Sequence, residues 1–211
     1  MARIEGVAPQ NAGPVVKLVY RLMRRGTRKM TGRDPVHGDG IEPVEIWAHQ
    51  PKMMSGMGKF QQAVRKGRSV DERIKYLAEL KGAQTIGCEF CVDLGSQICR
   101  NSGFSDDELL ALPHYRDSHL FTEREKLALD YTVAVMRTPV EVTDDLFARM
   151  KVHFTDEQLV ELTALLTVVN LDRFNAAFGV GSAGFSEGMV CVAPDRPAVP
   201  PDRQSTAQTA A

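Results

Sequence analysis

The residues of this 211-residue chain best equipped for chemistry are Cys88-Glu89-Phe90-Cys91. Two thiols three positions apart in a first helical turn come close enough to form a disulfide and to reopen it. Gly87 precedes them as a natural helix end, so Cys88 is expected where the next helix begins. The unpaired N–H groups and the dipole of a helix N-terminus favour a thiolate. This spacing is the recurring dithiol redox arrangement. A structural zinc site needs two more soft ligands, and no second Cys-x-x-Cys or spaced His pair supplies them, because His37, His49, His114, His119 and His153 are scattered. Two core cysteines that fall three apart without redox work are the plain alternative.

Helix arithmetic refines the pair. At about 100° per residue, Cys88, Cys91, Gly95 and Cys99 fall within roughly 80° of one another. Cys99 lies about 12 Å along the axis from Cys91, too far for a local disulfide, and is expected to be a small buried hydrophobe. Asp93 is about 200° around from Cys91 and should point away. Cys191 is distant in sequence, and nothing local assigns it to the pair.

The elements that must position these thiols read as helices. Periods near 3.6 dominate and two-residue alternation is scarce, so the fold class is all-α. Helices are expected over Pro14 to about Met30, Pro43 to Gln50, Pro51 to Lys66, Asp71 to Gly87 and Cys88 to Ser102. Ser105 to Glu108, Thr122 to Glu125 and Thr155 to Gln158 read as three capping boxes, the last opening one long helix through Asn175. Another helix runs from about Thr143 to His153. The organisation expected is an N-terminal arm with a basic amphipathic helix (1–33), a helical domain (34–190) and a disordered, proline-rich tail (191–211).

Charge and composition mainly exclude. The net charge is −1, from 26 Lys and Arg against 27 Asp and Glu. Seven of those bases lie between Pro14 and Arg33, where no acid occurs, which leaves 19 bases facing 27 acids elsewhere. Lys17, Arg21, Arg24 and Arg28 share a helix face, but only Tyr20 could stack on a base, so a solvated face or an acidic partner subunit is expected and no nucleic acid. Residues 1–13 hold no apolar run of the signal-peptide kind, and no stretch approaches the roughly 18 apolar residues of a membrane span. A soluble cytoplasmic protein without membrane association is therefore expected. Met53, Met54 and Met57 form a flexible apolar patch suited to core or pocket lining. Asn170, Asp172, Arg173 and Asn175 interrupt an apolar run; Arg173 and Asn170 are candidate pocket residues, with a structural or subunit-interface ion pair as the alternative. The glycine-rich stretch 179–184 follows a helix and not a strand, so it is not a nucleotide loop and no cofactor is assigned.

The segment DERIKYLAELKGAQTIGCEFCVDLGSQICRNSGFS resembles the redox core of the carboxymuconolactone decarboxylase/alkylhydroperoxidase AhpD-like family. AHQPKMMSGMGKF and the helices from Phe121 to Val180 are similar to companion elements of its longer members, so the likeness spans about 45–190. It implies an AhpD-like helical bundle, a homo-oligomer (dimer, trimer or hexamer), and reduction of a small hydroperoxide. By that analogy the Cys91 thiolate attacks, Cys88 closes the disulfide, and an external dithiol electron donor reopens it. Peroxide-reducing members carry a Glu twelve residues before the first Cys and a His four after the second; here Tyr76 and Gly95 fill those slots. A thiol of ordinary pKa near 8.5 is only a few per cent thiolate at neutral pH, so another group must move the proton. The candidates are Glu79, Tyr76 itself, or a histidine such as His49 or His114 brought in by folding. Two other readings stand beside the peroxidase: a lyase acting on a small carboxylated lactone, and a non-enzymatic redox-sensing oligomer.

Overall fold

The computed structural model describes residues 2–191, and among them ten α-helices, one 3₁₀ turn and no strand are formed. Helix α4 (Glu72–Ile86) is the hub, because its residues are buried almost all the way round. Ile74 and Ala78 pack into one cluster with Leu127, Ala128 and Tyr131 of α7 (Glu123–Met136), Met150 of α8 (Asp144–His153), and Leu162 and Leu166 of α9 (Asp156–Val169). Leu77 and Leu80, on the other side, meet Val92 and Cys99 of α5 (Glu89–Asn101) and Leu109 of α6 (Asp106–Ala111). Gly82 lets α9 close in: a Cβ there would lie 2.6 Å from Val169 Cγ1. Burial of such side chains contributes roughly 2 kcal/mol each, which is what holds a helix with this little amphipathic contrast in place.

The start signals lie where the sequence puts them. Ser105, Thr122 and Thr155 each close a capping box, and Asp71 caps α4 by accepting the Arg73 N–H at 2.8 Å. The basic helix α1 (Pro14–Thr31) is docked on α5, where Gln97 Nε2 donates to Thr31 O at 2.8 Å and Asn101 Nδ2 to Met30 O at 3.0 Å. Its Tyr20 is buried with Ile41 and with Ala48, which follows α2 (Glu42–Trp47), and with Met54 of α3 (Pro51–Arg65). No helix among the described residues is long and apolar enough to cross a membrane. The tail expectation falls on 192–211, outside the described residues.

One boundary differs. The long helix expected to Asn175 stops at Val169, and a separate α10 (Asp172–Phe178) follows. The backbone tightens between them through Leu171 N–H to Val168 O at 2.9 Å and Phe174 N–H to Leu171 O at 2.9 Å. Arg173 then fastens the new helix by donating to Met136 O and to Asn170 Oδ1. No proline or glycine announces this break, and its consequence is a changed direction for Asp172 and Asn175.

A buried ion pair ties α4 to α9. Lys75 Nζ lies 2.8 Å from Glu161 Oε1, and the Ser69 N–H donates to Glu161 Oε2 at 2.8 Å. Burial pushes the Glu161 carboxyl up, but the hydrogen bonds from Lys75 and Ser69 outweigh it and hold it at about 2. The folded value is below the unfolded one of roughly 4.3, so the stabilisation is complete above that pH and fades as pH falls toward the folded value. Glu161→Gln is expected to cost about 2 kcal/mol at neutral pH. In urea melts that deficit should shrink progressively on acidification through this window.

Candidate functional site

Gly87 ends α4 with φ +81°, a left-handed conformation that costs glycine little, and the chain turns at once into α5. Cys88 is the N-cap of α5, and its Sγ accepts the Cys91 N–H at 3.2 Å. The two cysteines are joined in a disulfide with a Cα–Cα separation of 5.3 Å. They differ in surroundings. Cys88 is fully buried among Phe90, Val180, Ala183 and Phe185, whereas Cys91 is half-buried and faces a cavity of about 250 Å³. Cys91 Sγ also receives a hydrogen bond from Asn175 Nδ2 of α10 at 3.4 Å.

The cavity lies between α1, α3, α4, α5, α9 and α10. Its apolar wall includes Met23, Met30, Leu80, Phe90, Ile98 and Val168. A smaller lobe of about 160 Å³, reaching Ile41 and Trp47, shares Phe90, Leu94, Asp172 and Asn175 with it. Gly95, one helical turn beyond Cys91, also lines it; a Cβ there would meet Leu80 Cδ1 at 3.2 Å. The glycine at this slot thus lets Leu80 pack close, and a side chain there would need Leu80 to give way.

The polar wall is acidic. Glu79 faces the cavity, with Arg65 Nη2 3.0 Å from its Oε1. Burial raises the Glu79 carboxyl above its ordinary value, and Arg65 pulls it partly back. Asp172 is pushed up to about 8, first by burial and then by the charge of Glu79. Asn175 Oδ1 is buried and has no hydrogen-bond partner among the described residues. Cys99 also reaches the cavity and is buried, as expected of a small hydrophobe, and burial and the charge of Glu79 push its thiol up to about 12.

Of the sequence candidates, folding brings Cys91, Glu79 and Tyr76 to one cavity. Arg173 and Asn170 are a correction: Arg173 is exposed and bonded to Asn170 and to Met136 O, while the cavity wall is made by Asp172 and Asn175. Because α10 starts afresh after the bend, its inward face carries positions 172 and 175, one turn apart. That i,i+3 polar pair in an apolar run was the available signal for both. His49 hydrogen-bonds Glu5 O, and neither it nor His114 lines the cavity. Asp93 points away from Cys91 and is bonded to the segment 182–186; Cys191 Sγ lies 3.7 Å from Ser96 Oγ of the same helix. Among the described residues no three His, Cys, Asp or Glu side chains are grouped to hold a metal.

Comparison with known proteins agrees with this architecture. The model of the carboxymuconolactone decarboxylase family matches residues 51–134. The Escherichia coli K12 protein YnjA is 36% identical over 150 residues, covering 70% of this chain and 82% of its own. The apo debrominase Bmp8 superposes with a TM-score of 0.71 over 86% of this chain and 92% of its own, at 18% identity. The alkylhydroperoxidase AhpD core of a peroxidase-related protein from Ralstonia eutropha JMP134 gives a TM-score of 0.68 over 90% and 98%, also at 18% identity.

Proposed function

We propose that this chain, which belongs to the carboxymuconolactone decarboxylase family, is a thiol-dependent oxidoreductase that reduces hydroperoxides through Cys91 and Cys88. The carrying observation is the disulfide across the first turn of α5, with one sulfur facing a cavity and the other sealed in the core. In the reduced protein the Cys91 thiolate attacks the terminal oxygen of the hydroperoxide. The O–O bond breaks, an S–O bond forms, sulfur loses two electrons, and the alkoxide takes a proton to leave as an alcohol. The Cys88 thiol then displaces water from the Cys91 sulfenic acid, closing the disulfide. An external dithiol attacks the cavity-side sulfur and restores both thiols.

Activation of Cys91 is assigned to its surroundings. The N-terminal amides of α5 and the Asn175 amide favour the thiolate, and Glu79 and Tyr76, the sequence candidates for the relay, line the same cavity. The largely apolar lining favours a hydroperoxide with a hydrocarbon substituent over hydrogen peroxide. The cytoplasm, which supplies dithiol reductants, is the proposed compartment. Assembly with further copies is proposed on Val15, Leu18 and Leu22, which α1 leaves exposed.

Stopped-flow oxidation of the reduced protein, with thiol counting, tests the reading. Cumene hydroperoxide should consume two thiols per chain, faster than hydrogen peroxide does. A rate no better than that of free cysteine removes the peroxidase assignment.

A further inference from the structure

The proposed reaction needs a group that accepts the thiol proton of Cys91 and later gives it to the departing oxygen. Neither slot that the family uses for this offers one here, since Gly95 has no side chain and Tyr76 is a phenol. The cavity itself contains two carboxyls and one cation. Arg65, from α3, lies against Glu79 of α4. Asp172, from α10, faces the same space without a hydrogen bond or salt bridge among the described residues. The remaining groups around it are the Gln61 amide of α3, the Tyr76 hydroxyl of α4, the Cys91 and Cys99 sulfurs of α5, and the Asn175 amide of its own helix. From α1 and α9 the lining is uncharged: Met23, Thr27, Met30, Val168 and Val169.

Two carboxyls facing one half-buried space do not readily ionise together, and a nearby cation favours ionisation of the one it touches. Glu79 has the guanidinium in contact, which draws its raised carboxyl partly back. Asp172 has no cation in contact and is pushed up to about 8, so it holds a proton at neutral pH. One turn along its helix, Asn175 touches Cys91 Sγ through Nδ2 and leaves Oδ1 without a donor. An orphaned buried acceptor beside the reactive sulfur fits a ligand O–H, which a hydroperoxide has and an ether or hydrocarbon lacks.

We infer that Asp172 is the acid–base group of this site, with Glu79 and Arg65 holding it in place as the proton carrier and Asn175 aligning the hydroperoxide O–H. The inference rests on the peroxidase reading and names the residue that completes it. Cys91 reacts as the thiolate beside protonated Asp172. The thiolate attacks, the hydroperoxide O–H stays with the sulfenic acid, and Asp172 gives its proton to the alkoxide. When the disulfide is next reduced, the Asp172 carboxylate takes the proton of the new Cys91 thiol. Over the two transfers its own charge is unchanged, and the overall conversion is thiol plus hydroperoxide to sulfenic acid plus alcohol.

The test uses the reduced full-length protein and its Asp172→Asn and Asp172→Glu variants, each with wild-type circular dichroism. Cumene hydroperoxide is the oxidant and Cys91 oxidation is followed by stopped flow. Asp172→Asn is expected to slow it about 100-fold at pH 7. In wild type the rate should fall above about pH 8, where Asp172 no longer holds a proton. In Asp172→Asn that fall should vanish, and Asp172→Glu should restore at least a tenth of the wild-type rate. An Asp172→Asn rate equal to wild type, or an unchanged alkaline fall, overturns the inference. Alkylation by iodoacetamide, localised to Cys91 by fragment mass spectrometry, separates this from failure of the peroxidase reading, because it needs no hydroperoxide. Coupling to Asp172 should split the Cys91 titration into two steps in wild type and leave one in Asp172→Asn. Identical profiles overturn the inference even if peroxide turnover is intact. A split profile without peroxide oxidation keeps Asp172 as the base and removes the peroxidase.

Discussion

Cys91→Ser is expected to abolish hydroperoxide reduction, by at least about a thousandfold, while leaving the fold intact. Cys91 Sγ is the sulfur of the pair that reaches the cavity, and a serine hydroxyl at neutral pH is a poor nucleophile for an O–O bond. Cys88→Ser should fail differently. The first oxidation can still occur at Cys91, so one thiol is consumed and a sulfenic acid accumulates, detectable with dimedone. Turnover by way of the Cys88–Cys91 disulfide then stops, and only the slower direct reduction of the sulfenic acid by dithiothreitol remains. Little stability should be lost, under about 2 kcal/mol, because the disulfide closes a very short loop. A serine at the N-cap also accepts the Cys91 N–H at least as well as the Cys88 sulfur does. A steady-state peroxide assay on the two variants and the double variant decides the matter; a double variant with wild-type turnover sinks the dithiol mechanism.

Much of this arrangement was legible in the chain because it depends on local chemistry. A glycine that must turn left-handed after Ile86 fixes where α4 ends, and Cys88 follows as the cap. The capping boxes at Ser105, Thr122 and Thr155 are satisfied within four residues, so their signal does not depend on the rest of the fold. The placement of Glu79 at the cavity also follows from its helix, since it shares the α4 face that packs toward α5.

What was illegible depends on tertiary contacts. The bend after Val169 is made by Arg173 reaching Met136 O on a different helix, and the apolar periodicity continues straight through it. With one helix extended to Asn175, the four polar residues Asn170, Asp172, Arg173 and Asn175 are singled out together, but the pocket role falls on Arg173 and Asn170 instead of Asp172 and Asn175. Asp93 was equally opaque. Its angle on the helix puts it opposite the thiols, but only the return of the chain from 180 to 186 shows why a carboxylate stands there.

That return is the source of the second large effect. Asp93 is buried, and its carboxylate accepts from Ser182 Oγ at 2.8 Å and from the N–H groups of Ala183, Phe185 and Ser186 at 3.0, 3.0 and 2.7 Å. Its backbone carbonyl accepts Ser186 Oγ as well. All of these partners are donors, so one charged group organises the whole turn and seats Phe185 edge-on against Phe90, 6.2 Å between ring centres. Phe185, Ala183 and Val180 are in turn the apolar cover of Cys88. Asp93→Ala strands several buried donors at once and is expected to cost on the order of 4 kcal/mol. Asp93→Asn should recover less than half of that, because its amide nitrogen would face N–H groups that it cannot accept from. Urea unfolding measures both, and a loss below about 0.5 kcal/mol for Asp93→Ala would show that the turn holds without the carboxylate. With the turn loosened, Cys88 loses its seal. Reduction of the disulfide by dithiothreitol should then accelerate at least several-fold in Asp93→Ala under native conditions, a change that a purely global destabilisation would produce only near the unfolding midpoint. The same residue that orders the chain's return thus keeps one sulfur of the pair out of solvent and directs exchange to the other.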